Sequence, residues 1–166
     1  MPYTNPDGTA KYINDAGIDS GGFLVAVSTG AMTGVYAQDL TLLGKGAKFS
    51  NCTVGSGGVL SMGSGTTLSG TTMYAGGSMQ LDTTAAAMAQ LVDCELSGGR
   101  VTVTANNYVV SGGTVHSGAE ISGLQSATYS GLTVKSGGKL TNGNNVFYYG
   151  VTFESGATIK IGRAHV

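Results

Sequence analysis

The chain has 166 residues, about the length of one domain, and its 41% hydrophobic residues are enough to build a buried core. Charged residues make up only 10% and the net charge is −1, so the basic patch that phosphate binding needs is missing and nucleic acid is not an expected partner. No stretch is long and apolar enough to form a transmembrane helix, so direct membrane insertion is not expected either.

Residues 1–17 precede the first repeat and are interpreted as a lead-in. They contain neither the charged start nor the apolar stretch of a secretory signal. The turn-forming sequence Asn-Pro-Asp-Gly lies within them. We expect this segment to cap the N-terminal edge of the structure that follows.

Residues 18–160 repeat a unit of about 19 residues in which a serine is followed by glycine. The anchor serines are Ser20, Ser56, Ser97, Ser117, Ser136 and Ser155, with Ala75 and, loosely, Gln38 in the same place. The glycines after the anchor are Gly57, Gly76, Gly98, Gly118, Gly137 and Gly156, which are expected to form the turn. The unit at Ser97 lacks one residue, so Cys94 and Leu96 align with Cys52 and Val54.

Apolar residues alternate around each anchor, which predicts short strands, and a single unit cannot bury its own apolar face. Stacked units bury a continuous core. The repeat therefore predicts an all-β fold, a single parallel β-solenoid of about eight coils of about 19 residues. Right-handed crossovers are the default for such connections.

Cys52 and Cys94 share one inward column but are separated by a whole coil, in which Thr71 is nearest to their place. Two coil steps are about 9.6 Å, whereas a disulfide needs Cα atoms within roughly 7 Å. The register therefore predicts two buried thiols and no disulfide.

Four other features of the repeat are distinctive. The longest coil holds the segment 82–92, which predicts a small bulge or a short helical turn. An outer column of mixed charge contains His116, Lys135 and Glu154. The aromatic run Phe147, Tyr148 and Tyr149 is interpreted as an interior ladder, because Tyr129 falls in the column of Tyr148, or alternatively as a sugar-stacking surface. Residues 161–166, Ile-Gly-Arg-Ala-His-Val, match the translation of a common sequencing-library adaptor and are interpreted as an artefact.

The stretches GTTLSGTTMYAGGSMQL and LTVKSGGKLTNG resemble the Ser-Gly-Gly repeats of AIDA-type autotransporter adhesins, and the resemblance covers residues 18–161. It implies a right-handed β-helix at the bacterial cell surface or secreted, used for adhesion to a host-surface glycan or protein or for self-association. It also implies glycosylation, for which Ser56, Ser97, Ser117, Ser136 and Ser155 are the expected acceptors; the alternative is that these hydroxyls only cap the turn.

Two alternatives differ from this interpretation. The family's secretion signal is not seen, which leaves a phage tail or fibre segment, located in a virion, as the second reading. A β-helical polysaccharide lyase or hydrolase needs two carboxylates that converge on one bond. Only Asp93 and Glu95 share a strand face, so we expect no enzyme, no cofactor and no metal site.

Overall fold

The computed structural model describes residues 48–81, 88–104 and 107–162, together with the short strands 13–14, 23–26, 31–33, 36–37 and 41–44. These residues form β-strands and turns, and among them there is no helix that is long and apolar enough to cross a membrane. The anchors Ser20 and Gln38 and the insertion at 82–87 lie outside the described residues. The boundaries proposed for the lead-in and for the adaptor-like end remain predictions.

Each coil contributes strands to three parallel faces, named here A, B and C. Face A contains β2 (Phe23–Ala26), β5 (Thr41–Gly44), β8 (Val59–Met62), β11 (Ser78–Leu81), β14 (Gly99–Val103), the first halves of β17 (Ala119–Ser130) and β19 (Lys139–Tyr149), and β21 (Thr158–Ile161). Face B contains β1 (Ile13–Asn14), β3 (Ala31–Thr33), β6 (Lys48–Ser50), β9 (Thr67–Ser69), β12 (Ala89–Val92), β15 (Tyr108–Ser111) and the second halves of β17 and β19. Face C contains β4 (Tyr36–Ala37), β7 (Thr53–Val54), β10 (Thr72–Met73), β13 (Glu95–Leu96), β16 (Thr114–Val115), β18 (Thr133–Val134) and β20 (Thr152–Phe153).

All strand pairs are parallel and join equivalent positions of successive coils. On face C the paired residues are Val54, Met73, Leu96, Val115, Val134 and Phe153. The predicted parallel β-solenoid is therefore confirmed, and so is the alignment of Leu96 with its neighbours across the missing residue. The handedness of the crossovers stays a prediction.

The number of coils differs from the predicted eight. In residues 48–162, which are described almost continuously, face B runs from β6 through β9, β12, β15 and β17 to β19 and makes five full turns. The short strands β1 and β3 pair ahead of β6 on the same face.

The core is made of columns in which one apolar side chain lies above another. One such column on face A consists of Leu60, Met79, Val101, Ile121 and Leu140, all fully buried. Stacking of this kind removes a continuous apolar surface from water, which is the main stabilising contribution in a solenoid.

Both cysteines lie in the core, as predicted, and neither is in a disulfide. Thr71, which is fully buried, belongs to the coil between them. The Cys94 thiol donates to the carbonyl oxygens of Val92 at 3.5 Å and Leu68 at 3.7 Å. Burial raises the pKa of this thiol to about 11, which keeps it neutral and unreactive near pH 7.

A cluster of tyrosines near the C-terminal coils confirms the predicted interior aromatic ladder. Tyr129 and Tyr148 are stacked with ring centroids 5.4 Å apart, and Tyr108 meets Tyr129 edge to face at 5.8 Å. Asn142 joins the cluster, since its Oδ1 accepts from Tyr129 at 2.7 Å and its Nδ2 donates to Tyr148 at 2.9 Å. Burial raises the pKa of Tyr108 to about 12.

Candidate functional site

The turn from face C to face A carries four of the predicted acceptor serines. Ser56, Ser117, Ser136 and Ser155 each follow a strand of face C by two residues, and all four are exposed. The glycine after each serine has a left-handed backbone, with φ between 72° at Gly57 and 88° at Gly156. A Cβ added at Gly137 would lie 2.5 Å from the Ser117 hydroxyl of the preceding coil. Glycine is therefore required twice here, by its own φ and by the serine stacked against it.

These four serines are exposed, and the hydroxyls of Ser56, Ser117 and Ser136 lie beside the glycine of the next coil. Within the described structure, none of them forms a hydrogen bond to another protein group. Ser117, Ser136 and Ser155 lie on consecutive coils, about 4.8 Å apart. Ala75 and Gly98 occupy the two coils that separate Ser56 from this group, so the serine row consists of one isolated hydroxyl and three adjacent ones.

Ser97 and Gly98 are each one residue away from their predicted columns. The Ser97 amide donates to the Met73 carbonyl oxygen, as the Tyr74 amide does to that of Val54. A Cβ added at Gly98 would lie 2.8 Å from Cα of Ala75, so Gly98 occupies the anchor position, and Gly99 has the left-handed φ of 77°. The missing residue falls inside this turn, which is why Ser97, although exposed, stands outside the serine row.

Charged side chains form a stripe beside the serine row. Glu95 accepts from Thr114 Oγ1 at 3.0 Å and contacts His116 Nε2 at 2.8 Å. Lys135 Nζ lies 2.6 Å from Glu154 Oε1, and this hydrogen bond lowers the pKa of Glu154. These pairs are largely solvent-exposed and contribute little to stability.

The described carboxylates do not form a recognisable catalytic or metal site. Glu95 is engaged by His116 and Thr114, whereas Asp93 lies at the corner between faces B and C with a φ of 49°. Across the part of the chain that the structure describes, no three His, Cys, Asp or Glu side chains are grouped so as to hold a metal ion.

The aromatic run of β19 divides between the two sides of face B. Phe147 and Tyr149 point outward, are 57% and 60% exposed, and have nearly parallel rings 6.5 Å apart. Tyr148 lies on the inner side within the tyrosine cluster, because successive side chains of a strand point to opposite faces. Tyr148 therefore lies on the opposite side from Phe147 and Tyr149, and sugar stacking on these aromatic side chains stays a prediction.

A cleft that the sequence did not indicate follows the corner between faces A and B. It encloses about 140 Å³, and its lining includes Met88, Asn107, Ser126, Thr128, Asn145 and Phe147. Asn107, Ser126 and Asn145 occupy the same place on successive coils and all have positive φ, of 67°, 42° and 58°. The sequence does show Asn or Ser recurring every 19 residues at this position. This recurrence is harder to notice than the Ser-Gly columns, which repeat more strictly.

Comparison with known proteins supports the fold. No protein-family model matches the chain, and no curated protein does. Among solved structures, the chain is similar to the TibC-catalysed hyper-glycosylated fragment of TibA, residues 55–350, at 20% identity and a TM-score of 0.65. The match covers 95% of this chain, which spans 65% of the length of that structure. At this level of identity the likeness concerns the β-solenoid alone.

Proposed function

We propose that this chain is a non-enzymatic segment of a β-solenoid displayed on the bacterial surface or secreted, where it serves adhesion or self-association. A host-surface glycan or protein, or a second copy of the solenoid, is its partner. The observation that carries the proposal is the row of exposed serine hydroxyls without protein partners, repeated on stacked Ser-Gly turns. The similar hyper-glycosylated TibA fragment supports the same interpretation, as do the Ser-Gly-Gly repeats.

The distribution of functional groups also supports a non-enzymatic role. An active site brings unlike groups together once, whereas here like groups recur on each coil. The outward surface is mostly Ser, Thr, Asn and Gly, and the described ion pairs at Glu95 and Glu154 are exposed. Such a surface displays groups to a partner.

The serine row supports a proposal of glycosylation. The similar TibA fragment is hyper-glycosylated, and Ser56, Ser117, Ser136 and Ser155 present hydroxyls that an enzyme could reach. Ser97 is also exposed, but it stands one column away. Protein isolated from its native host should exceed the unmodified mass by whole sugar units, and peptide mapping should place them on these residues. An unmodified intact mass would contradict the proposal.

Adhesion and self-association can be tested on beads coated with the full chain. We expect the beads to clump, or to attach to cultured epithelial cells, more than beads coated with an unrelated β-solenoid of similar size. The unrelated protein is the matched control, since it shares the shape of the chain but not its surface. Equal behaviour of the two coatings in both assays would refute the proposed function.

A further inference from the structure

The cleft at the A–B corner combines an aromatic wall with a row of polar side chains. We propose that it binds neutral carbohydrate, with the Phe147 ring against one sugar and with Asn107, Ser126 and Asn145 bonded to sugar hydroxyls. This inference rests on the proposed function, because it names the class of ligand through which the surface would adhere.

The repeat places the polar groups at a regular spacing along the cleft. Asn107, Ser126 and Asn145 belong to consecutive coils, so their backbones lie about 4.8 Å apart. The Asn107 amide donates to the Ser126 carbonyl oxygen at 3.0 Å, which ties two of these corners together. Ser126 and Asn145 lie within β17 and β19, and Asn107 directly precedes β15, so the strands of the solenoid position all three side chains, which suits a preorganised site.

These polar side chains are available to a ligand. In the described part of the chain, none of the three forms a side-chain hydrogen bond with another protein group. Asparagine offers both donors and an acceptor, and serine offers a donor and acceptors, so each matches a sugar hydroxyl, which also does both. Side chains of this kind form hydrogen bonds with water or with a polyhydroxy ligand.

The apolar side chains of the cleft would contact the apolar face of a sugar ring. Phe147 is 57% exposed and Met88 is 50% exposed, although burial would favour both. The C–H face of a sugar ring is apolar while its rim is polar, so one ligand can cover Phe147 and satisfy the asparagines. Tyr149, stacked beside Phe147, extends this aromatic surface beyond the cleft.

The chemistry of the cleft favours neutral sugars over other ligands. None of its described lining residues is charged, so an anionic sugar or a phosphate would lose its hydration without gaining an ion pair. An apolar peptide would leave the polar row unsatisfied. At about 140 Å³ the cleft takes roughly one sugar ring, with the rest of the glycan in solvent.

Saturation-transfer NMR on the full chain tests the proposal directly. The probes are maltohexaose, cellohexaose, xylohexaose and mannohexaose, with 3′-sialyllactose as a charged comparison. We expect at least one neutral oligosaccharide to receive saturation from the protein's aromatic protons. Phe147→Ala and Asn145→Gly should each weaken its affinity about fivefold or more, the contribution of one stacking or hydrogen-bonding contact.

The variants are chosen so that loss of binding is not loss of fold. Glycine tolerates the φ of 58° at position 145, so Asn145→Gly removes the amide without straining the backbone. Tyr74→Ala is the matched control, because Tyr74 is 50% exposed on a different corner. We expect this variant to bind as the natural chain does.

Three results would overturn the inference: no saturation transfer to any neutral oligosaccharide, equal loss in Tyr74→Ala, or binding of the sialylated sugar alone. The bead assay separates this failure from failure of the proposed function. If the beads clump or adhere although the chain binds no sugar, the proposed function stands and the proposal of a sugar site in the cleft is refuted. If the chain binds sugar although the beads neither clump nor adhere, the sugar site stands and the proposed function is refuted.

Discussion

Gly123 is a buried glycine that packs against the side chain of Tyr108, and Gly123→Ala tests the cost of filling that space. Its neighbours in the inward column are Val103 and Asn142, and the ring of Tyr108 lies across it. A Cβ at this position would lie 3.0 Å from Cε1 and Cζ of Tyr108. It would lie closer still to the Tyr108 hydroxyl oxygen, at a distance that Cβ atoms essentially never show in real structures. The φ of Gly123 is not in the left-handed region, so the cost of the substitution is steric.

The magnitude follows from two opposing effects. Overpacking a well-filled core costs about 1–3 kcal/mol, and replacing glycine by alanine in an ordinary conformation returns roughly 0.4–1 kcal/mol through the unfolded state. We therefore expect Gly123→Ala to lower the free energy of unfolding by about 1–2 kcal/mol.

Tyr108→Phe provides the matching background, because it deletes the closest clashing atom. Three contacts join the hydroxyls of Tyr108 and Tyr129 and Oδ1 of Asn142: Tyr108 to Tyr129 at 2.5 Å, Tyr108 to Asn142 at 3.1 Å and Tyr129 to Asn142 at 2.7 Å. The two hydroxyls have only two protons, so these three contacts cannot all be hydrogen bonds at once. Removing the Tyr108 hydroxyl leaves Tyr129 bonded to Asn142, so the single variant should lose about 1 kcal/mol. In this background Gly123→Ala should cost about 1 kcal/mol less than in the natural chain.

Urea unfolding followed by near-ultraviolet circular dichroism measures these costs. The chain has 8 tyrosines and no tryptophan, so this signal reports on tyrosine packing. Gly118→Ala is the control: nothing lies within 4 Å of its added Cβ and its φ is 80°, so its cost should be the same in both backgrounds. A cost of Gly123→Ala that is negligible, or that Tyr108→Phe leaves unchanged, would refute the reasoning.

Three further predictions concern the thiols and the C-terminal rung. Burial raises the pKa of Cys94 from 9.0 to about 11, so the stability that the neutral thiol provides is complete below pH 9 and is lost as the pH rises through 11. Between these two pH values, the urea midpoint should fall more in the natural chain than in Cys94→Thr. Equal falls in the two proteins would contradict this prediction. Thiol titration without reductant should count Cys52 and Cys94 as two thiols per chain in denaturant and almost none before unfolding, whereas a count of zero in denaturant would mean a disulfide. The last described rung exposes Phe153, Ile159 and Ile161, so copies of the chain should associate through this surface. Ile159→Lys should shift the sedimentation coefficient toward that of the monomer. A natural chain that is monomeric at high concentration would contradict this prediction.

The columns that face the core could be predicted from the sequence because every coil obeys the same packing requirement. Val54, Val115 and Val134 recur at fixed distances from their glycines, and the structure pairs them through the intervening coils. A solenoid makes this inference unusually direct, since each unit contacts only its neighbours and one register fixes the others.

The positions that break the repeat could not be placed in the same way. The missing residue near Ser97 could lie on either side of the anchor, and only the backbone hydrogen bond of Ser97 to Met73 shows where it lies. The meeting of Tyr108 with Asn142 joins residues of different columns on different faces, separated by 34 positions in the chain. A periodic pattern carries no information about contacts between unlike columns.

The contrast between inward and outward columns also indicates where function is to be sought. Inward columns such as Leu60, Met79 and Val101 vary only among apolar residues, since each must fill the same space. The outward column of face B runs from Gln90 through Val109 and Thr128 to Phe147, with no common size or polarity. Packing does not require an exposed phenylalanine at the end of that column, next to asparagine and serine side chains without partners. Binding a ligand gives this combination a physical reason, which the stability of the rod does not.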